Sequence, residues 1–145
     1  MQHTAATQQT LAIVKPDAVA AGNAGSILAH LEREGFEILA VRKLRLSAAQ
    51  AGAFYEVHKQ RPFYGELVTF MTSGPAMPVA LRRDNAVAHL RDVMGATDST
   101  KAAEGTVRNL YGTDIQNNAI HGSDSPENAA QELAFFFAGA DLLAI

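Results

Sequence analysis

Apolar positions along this chain fall into short clusters divided by glycine, proline and polar turns. Thr10–Val14 is a compact apolar run halted by Pro16, as expected of a buried strand. Ser26–Glu34 sets Ile27, Leu28 and Leu31 at helical spacing, with Gly35 behind as a C-terminal stop. Glu37–Leu46, rich in apolar residues, predicts a second strand. Ser47 is placed to cap a helix through Tyr55, and Phe63–Met71 predicts another, closed by Gly74-Pro75. Pro78–Leu81 predicts a third strand, and Asp84 or Asn85 caps a helix running through Met94. After a further short strand, Ser125-Pro126 starts the last helix. Ala129, Ala130, Leu133, Ala134 and Phe137 form its expected buried stripe.

Strands interleaved with helices predict an α/β sandwich. It forms a single domain over residues 10–145, behind a polar tail over residues 1–9. The longest irregular stretch, residues 96–119, has the length of a functional loop. With 145 residues, 48% of them hydrophobic, the chain can bury a sizeable core. It has no cysteine, hence no disulfide framework or thiolate metal site. No apolar stretch reaches the ~18 residues of a membrane span. Met1–Thr7 has no basic segment followed by an apolar run, so the expectation is a cytoplasmic protein with no membrane partner. A net charge of −3 disfavours a broad basic surface, so nucleic acid is not expected as the main partner.

The candidate chemistry lies in Asn118-Ala119-Ile120-His121-Gly122-Ser123-Asp124. Small and polar neighbours surround His121, and nothing around it asks for a core side chain. Gly122 is expected to let backbone or ligand come close. Asn118, Ser123 and Asp124 bring hydrogen-bonding groups near the imidazole. Such a histidine suits nucleophilic or acid–base work. The other histidines carry weaker signals: His3 is in the tail, His30 and His89 are in helical segments, and His58, before Arg61-Pro62-Phe63, could line a site but is expected to be structural. Gly22-Asn23-Ala24-Gly25-Ser26 opens a helix but lacks the lysine of a phosphate-binding loop.

The run at His121 resembles the active-site signature of the nucleoside diphosphate kinases, Asn-x-x-His-Gly-Ser-Asp. Other motifs of that family follow in its order: Leu11–Asp17 with Lys15-Pro16-Asp17, Phe54–Lys59, Arg61–Tyr64, Met71–Pro75, Arg91–Thr97 and Glu104–Arg108. The resemblance covers roughly residues 10 to 137. It implies a ferredoxin-like, antiparallel four-stranded sheet covered by helices. It also implies ping-pong transfer of the γ-phosphate of a nucleoside triphosphate to a nucleoside diphosphate, through a phosphohistidine at His121. A phosphoimidazole bond is labile enough to hand its phosphate on, where a phosphoserine would be too stable.

The same resemblance assigns roles. Glu132 would fix the histidine tautomer, with Glu127 a nearby rival. Lys15, Arg91 and Arg108 would bind phosphate, and Thr97 would hydrogen-bond it. Asn118 would reach the sugar hydroxyl or the phosphates. Tyr55 would stand near the histidine and Ser123 beside its partner carboxylate. Phe63, by its residue type alone an ordinary core aromatic, would stack on the base. Mg²⁺ would arrive with the nucleotide phosphates and need no protein cage, Asp124 being at most a contact through water. The family forms closed homo-oligomers, so nucleotides and further copies of the chain are the implied partners.

Some positions depart from the family pattern. Thr97-Asp98-Ser99-Thr100-Lys101 lacks the usual proline, which predicts a looser loop and a dimer or dimer-based tetramer. Arg82 and Arg83 add unexpected charge, and the stretch up to Ile145 leaves room for only a short C-terminal arm. Two other function classes fit the scaffold: a catalytically silent nucleotide-binding module, and a nucleic-acid-binding protein.

Overall fold

The computed structural model describes residues 7–143. Four strands, β1 (Thr7–Val14), β2 (Glu37–Val41), β3 (Met77–Asp84) and β4 (Ile120–Gly122), form one sheet in the order β2-β3-β1-β4. Every neighbouring pair is antiparallel. Seven helices connect and cover them: α1 (Pro16–Ala20), α2 (Ala24–Arg33), α3 (Ala48–Phe54), α4 (Tyr64–Met71), α5 (Ala86–Met94), α6 (Val107–Tyr111) and α7 (Pro126–Phe136). This is the ferredoxin-like sheet with helices implied by the motifs.

The sheet is buried on both faces, which explains why β1 reads as a solid apolar run instead of an alternating one. Ala12 and Val14 face one way, packing with Val79 and Leu81 of β3, Ile27 and Leu31 of α2, and Leu90 and Met94 of α5. Leu11 and Ile13 face the other way, packing with Ala80, Ala51 of α3, Met71 of α4, and Leu133 and Phe136 of α7. Successive side chains of a strand point to opposite faces, so one strand supplies both cores.

Several boundaries differ from the sequence reading. β1 begins at Thr7, not Thr10, because β3 runs on to Asp84 and pairs with Thr7, Gln8 and Gln9. Of the predicted tail, residues 1–6, with His3, lie outside the described residues. The predicted strand Glu37–Leu46 ends at Val41: its register with β3 shifts between Ile38 and Ala40, and Leu44 makes only an isolated bridge with Ala76. Helix α1 was not expected; Pro16 both stops β1 and serves as the first residue of a short helix. Phe63 precedes α4 as its N-cap. Asn85 precedes α5 in the left-handed region (φ 54°) and makes no side-chain cap. Asparagine tolerates that conformation better than most residues.

In α7 the buried face is Ala129, Leu133 and Phe136, with Phe137 just beyond, whereas Ala130 and Ala134 are exposed. Those two alanines lie about 100–140° around the helix from Ala129, off the stripe. The stretch 96–119 is only partly irregular, since it holds a 3₁₀ turn (Ser99–Lys101) and α6. The loop without its proline is organised by Asp98, whose carboxylate accepts the Thr100 N–H at 3.0 Å and the Thr100 hydroxyl at 2.7 Å. Among the described residues no helix is long and apolar enough to cross a membrane.

Candidate active site

The three residues of β4 set the centre of the site. Ile120 pairs with Val14, His121 with Ile13 and Gly122 with Ala12. Alternation therefore turns Ile120 into the core beneath α2 and α5, and His121 towards the face covered by α3, α4 and α7. Gly122 points the same way as Ile120. A Cβ there would meet Met94 Sδ at 2.7 Å, so its smallness lets α5 close on the sheet. The close approach expected at Gly122, of backbone or ligand, is thus made by a side chain, although the Gly122 backbone does line the site.

His121 opens into a cleft of about 620 Å³. Tyr55, Arg91, Thr97, Arg108 and Glu132 share its walls, as do Phe54, Val57, His58, Asp124, Asn128, Gln131 and Phe135. The imidazole is held from several sides. His121 Nε2 is 2.8 Å from Glu132 Oε1, and the Ser123 hydroxyl donates to the same oxygen at 2.7 Å. Glu127, the rival carboxylate, sits exposed in the first turn of α7 and does not line the cleft. An ionised carboxylate only accepts, so Nε2 carries the proton and Nδ1 keeps its lone pair. Phe54 and Tyr55, consecutive at the end of α3, set their rings edge-on to the imidazole at 5.6 and 6.2 Å between centroids. Burial first, and then the negative charge of Glu132, raise the Tyr55 phenol well above its ordinary value. Its buried hydroxyl has no hydrogen-bond partner.

Lys15, Asn118 and Ser123 are buried behind the cleft. Lys15 Nζ donates to Asn118 Oδ1 at 2.8 Å, and Asn118 Nδ2 donates to the carbonyls of Thr97 and Ile115 at 3.0 and 3.1 Å. Burial, then the nearby Arg108 charge, lowers Lys15 to about 8. Burial, then Arg91, lowers Arg108 to about 10. Arg108 also grips the scaffold: Nη1 donates to the Gly95 carbonyl at 3.0 Å and Nη2 to that of Ile120 at 2.8 Å. Its Nε is buried without a partner. Arg91 and Thr97 are exposed on the cleft wall. Arg91, Arg108 and Lys15 thus gather positive charge, Arg91 acting on Arg108 and Arg108 on Lys15, in a site suited to an anion.

Phe63 is the outlying candidate. It is 47% exposed, does not line the cleft, and reaches it through His58, whose ring lies 5.6 Å away. Exposure fits an aromatic available for stacking better than the core aromatic its residue type suggests. His58, read as structural, lies on the cleft wall. Asp124 also lines the cleft and accepts a hydrogen bond from Asn128 Nδ2. Phe54, Asn128, Gln131 and Asp17 were not singled out from the sequence. Phe54 and Asp17 lie inside quoted motifs, but only the folded chain brings Phe54 to the cleft and Asp17 to the Ala119 amide outside it.

Sequence and overall fold resemble those of known proteins. Residues 8–142 match the family model for nucleoside diphosphate kinase. A nucleoside diphosphate kinase from Chlorobaculum parvum is 54% identical over 138 residues, covering 95% of this chain and 99% of that one. One from Gluconacetobacter diazotrophicus is 55% identical over 138 residues, covering the same shares, 95% and 99%. Among solved structures, the Aquifex aeolicus nucleoside diphosphate kinase superposes with a TM-score of 0.93 at 45% identity, covering 95% of this chain and all of that one. A halophilic nucleoside diphosphate kinase from Halobacterium salinarum, solved in complex with CDP, gives 0.91 at 36% identity, covering 97% of this chain and 93% of that one. Sequence and fold thus agree along nearly the full length, and the chain belongs to the nucleoside diphosphate kinase family, enzymes that pass a phosphoryl group from one nucleotide to another.

Proposed function

We propose that His121 carries the phosphoryl group in this kinase, with Glu132 and Ser123 orienting it and Lys15, Arg91, Arg108, Thr97 and Asn118 holding the phosphates. The observation that carries this reading is the shared Glu132 oxygen, which holds Nε2 at 2.8 Å and leaves Nδ1 as the free nucleophile. Nδ1 attacks the γ-phosphorus of a bound triphosphate; the bond to the bridging oxygen breaks and a diphosphate leaves. A terminal oxygen of the acceptor diphosphate then attacks the same phosphorus, the N–P bond breaks, and the imidazole is restored. Glu132 balances the charge on the phosphorylated ring, and the cations balance charge on the transferring oxygens.

Tyr55 walls the imidazole, and Phe63 stacks on the base at the cleft rim. Stacking uses a π-face common to all bases, so little base selectivity follows. The CDP held by the Halobacterium salinarum relative fits a site open to pyrimidines. Mg²⁺ enters as part of the nucleotide substrate. Its ligands would come from phosphate oxygens and water, as is common for magnesium. Exposed Leu110 and Ile115 beside the cleft loop favour a homo-oligomer, a dimer or dimer-based tetramer. The absence of cysteine fits a cytoplasmic setting.

Brief incubation with γ-labelled ATP and magnesium tests the reading. The protein takes up acid-labile, base-stable label, and a nucleoside diphosphate removes it. His121→Ala takes up none while still binding nucleotide. Label surviving on His121→Ala overturns the assignment.

A further inference from the structure

Two residues before His121 the backbone takes an unfavourable turn. Ala119 has φ 74°, in the left-handed region that residues with a Cβ avoid. It is fully buried in the core beneath α2 and α5, so solvent cannot satisfy its peptide groups. Both are bonded instead to one short segment over a hundred residues earlier. The Lys15 amide donates to the Ala119 carbonyl at 2.8 Å, and the Ala119 amide donates to Asp17 Oδ2 at 3.1 Å.

Beyond this bond, Asp17 places its charge near Lys15. It stands in the first turn of α1 and does not line the cleft. Its second oxygen, Oδ1, is buried without a partner. Leaving one carboxylate oxygen so poorly served is costly, and burial pushes the Asp17 carboxyl upward. Ala119 sits between Asn118, which bonds Lys15, and the strand that aims His121. A strained backbone conformation persists only when its surroundings over-determine it.

We propose that Asp17 is a positioning residue for phosphoryl transfer: its carboxylate holds Ala119 in the left-handed turn that sets Asn118 and His121 at their working positions. Asp17 acts through this turn and touches no reacting atom. The inference rests on His121 being the phosphoryl carrier, an assignment that labelling of His121→Ala tests separately.

The experiment compares single-turnover phosphorylation by γ-labelled ATP in the full chain and three variants. Asp17→Ala removes the acceptor, and misplacement of the nucleophile lowers the rate by about tenfold to a hundredfold. Asp17→Asn keeps an oxygen for the Ala119 amide and stays within about fivefold of the unaltered chain. Asp17→Ala combined with Ala119→Gly recovers most of the lost rate, because glycine takes φ 74° without strain. A general structural role for Asp17 predicts no such rescue. Asp17→Ala at full rate, Asp17→Asn as damaged as Asp17→Ala, or a double variant with no recovery overturns the proposal. If Asp17→Ala alone does not fold, the double variant must, and its failure to fold overturns the proposal equally.

Discussion

Lys15 and Asn118, 103 residues apart in the chain, meet in a buried 2.8 Å hydrogen bond that ties the end of β1 to the entry of β4. The bond holds the lysine cation on Asn118, and burial keeps most water from it. Burial and the Arg108 charge then bring Lys15 down from 10.5 to about 8.

This lowered value has two consequences with opposite signs. For activity, Lys15 loses its charge above about pH 8, so kcat/KM should decline on that alkaline limb. Bound phosphate favours the charged form, so kcat should persist to higher pH. For stability, the unfolded chain holds this proton more tightly than the folded one between about 8 and 10.5, so unfolding free energy should rise with pH across that window. The full effect of this group is on the order of 3 kcal/mol. Rate profiles with saturating and limiting nucleotide, and urea titrations at pH 7.5 and 10 of the unaltered chain and Lys15→Met, separate the two effects.

Glu132 and Ser123 should differ in weight. Glu132→Gln retains an acceptor for Nε2 but loses the charge that balances a phosphorylated ring, and should slow phosphorylation by about a hundredfold or more. Ser123→Ala removes one hydrogen bond to that carboxylate and should cost about 1–2 kcal/mol, some five- to thirtyfold. Quenched-flow measurement of the first half-reaction checks both, and equal losses would contradict the arrangement.

Arg91 and Arg108 should respond differently to lysine. Arg108 bonds the Gly95 and Ile120 carbonyls through separate Nη atoms, a fork that lysine cannot reproduce. Arg108→Lys should therefore lose about 1–3 kcal/mol of stability as well as activity. Arg91 is exposed and its side chain makes no hydrogen bond among the described residues, so Arg91→Lys should lose transfer rate alone, by about tenfold. Thermal unfolding set beside kcat/KM distinguishes them; a stable Arg108→Lys protein would go against the buried fork.

Phe63 is nearly half exposed, so Phe63→Ala should leave the melting temperature almost unchanged. Binding of purine and pyrimidine diphosphates alike should weaken, by about 1–3 kcal/mol. Calorimetric titration with ADP and CDP tests this, and selective loss of one base would argue against simple stacking.

Much of this molecule could be read from residue order. Apolar runs bounded by Gly35, Pro16 and Ser125-Pro126 marked most strands and helices, because capping and backbone sterics act within a few residues. The run at His121 suggested its chemistry, because the proposed nucleophile and its near neighbour Ser123 are local in sequence. What the chain order leaves open arises between distant segments. It offered two carboxylates and preferred Glu132 to Glu127 only by resemblance, since contact with the imidazole depends on how α7 lies against the sheet. It placed Ala130 and Ala134 on the buried stripe, which the orientation of α7 put in solvent. It took Gly122 for an opening to backbone or ligand, when the glycine admits the Met94 side chain of α5. The lowered protonation of Lys15 and the grip of Asp17 on Ala119 have the same origin. Burial, strain and charge repulsion depend on three-dimensional neighbours, and here those neighbours are brought together by the pairing of β1 with β4.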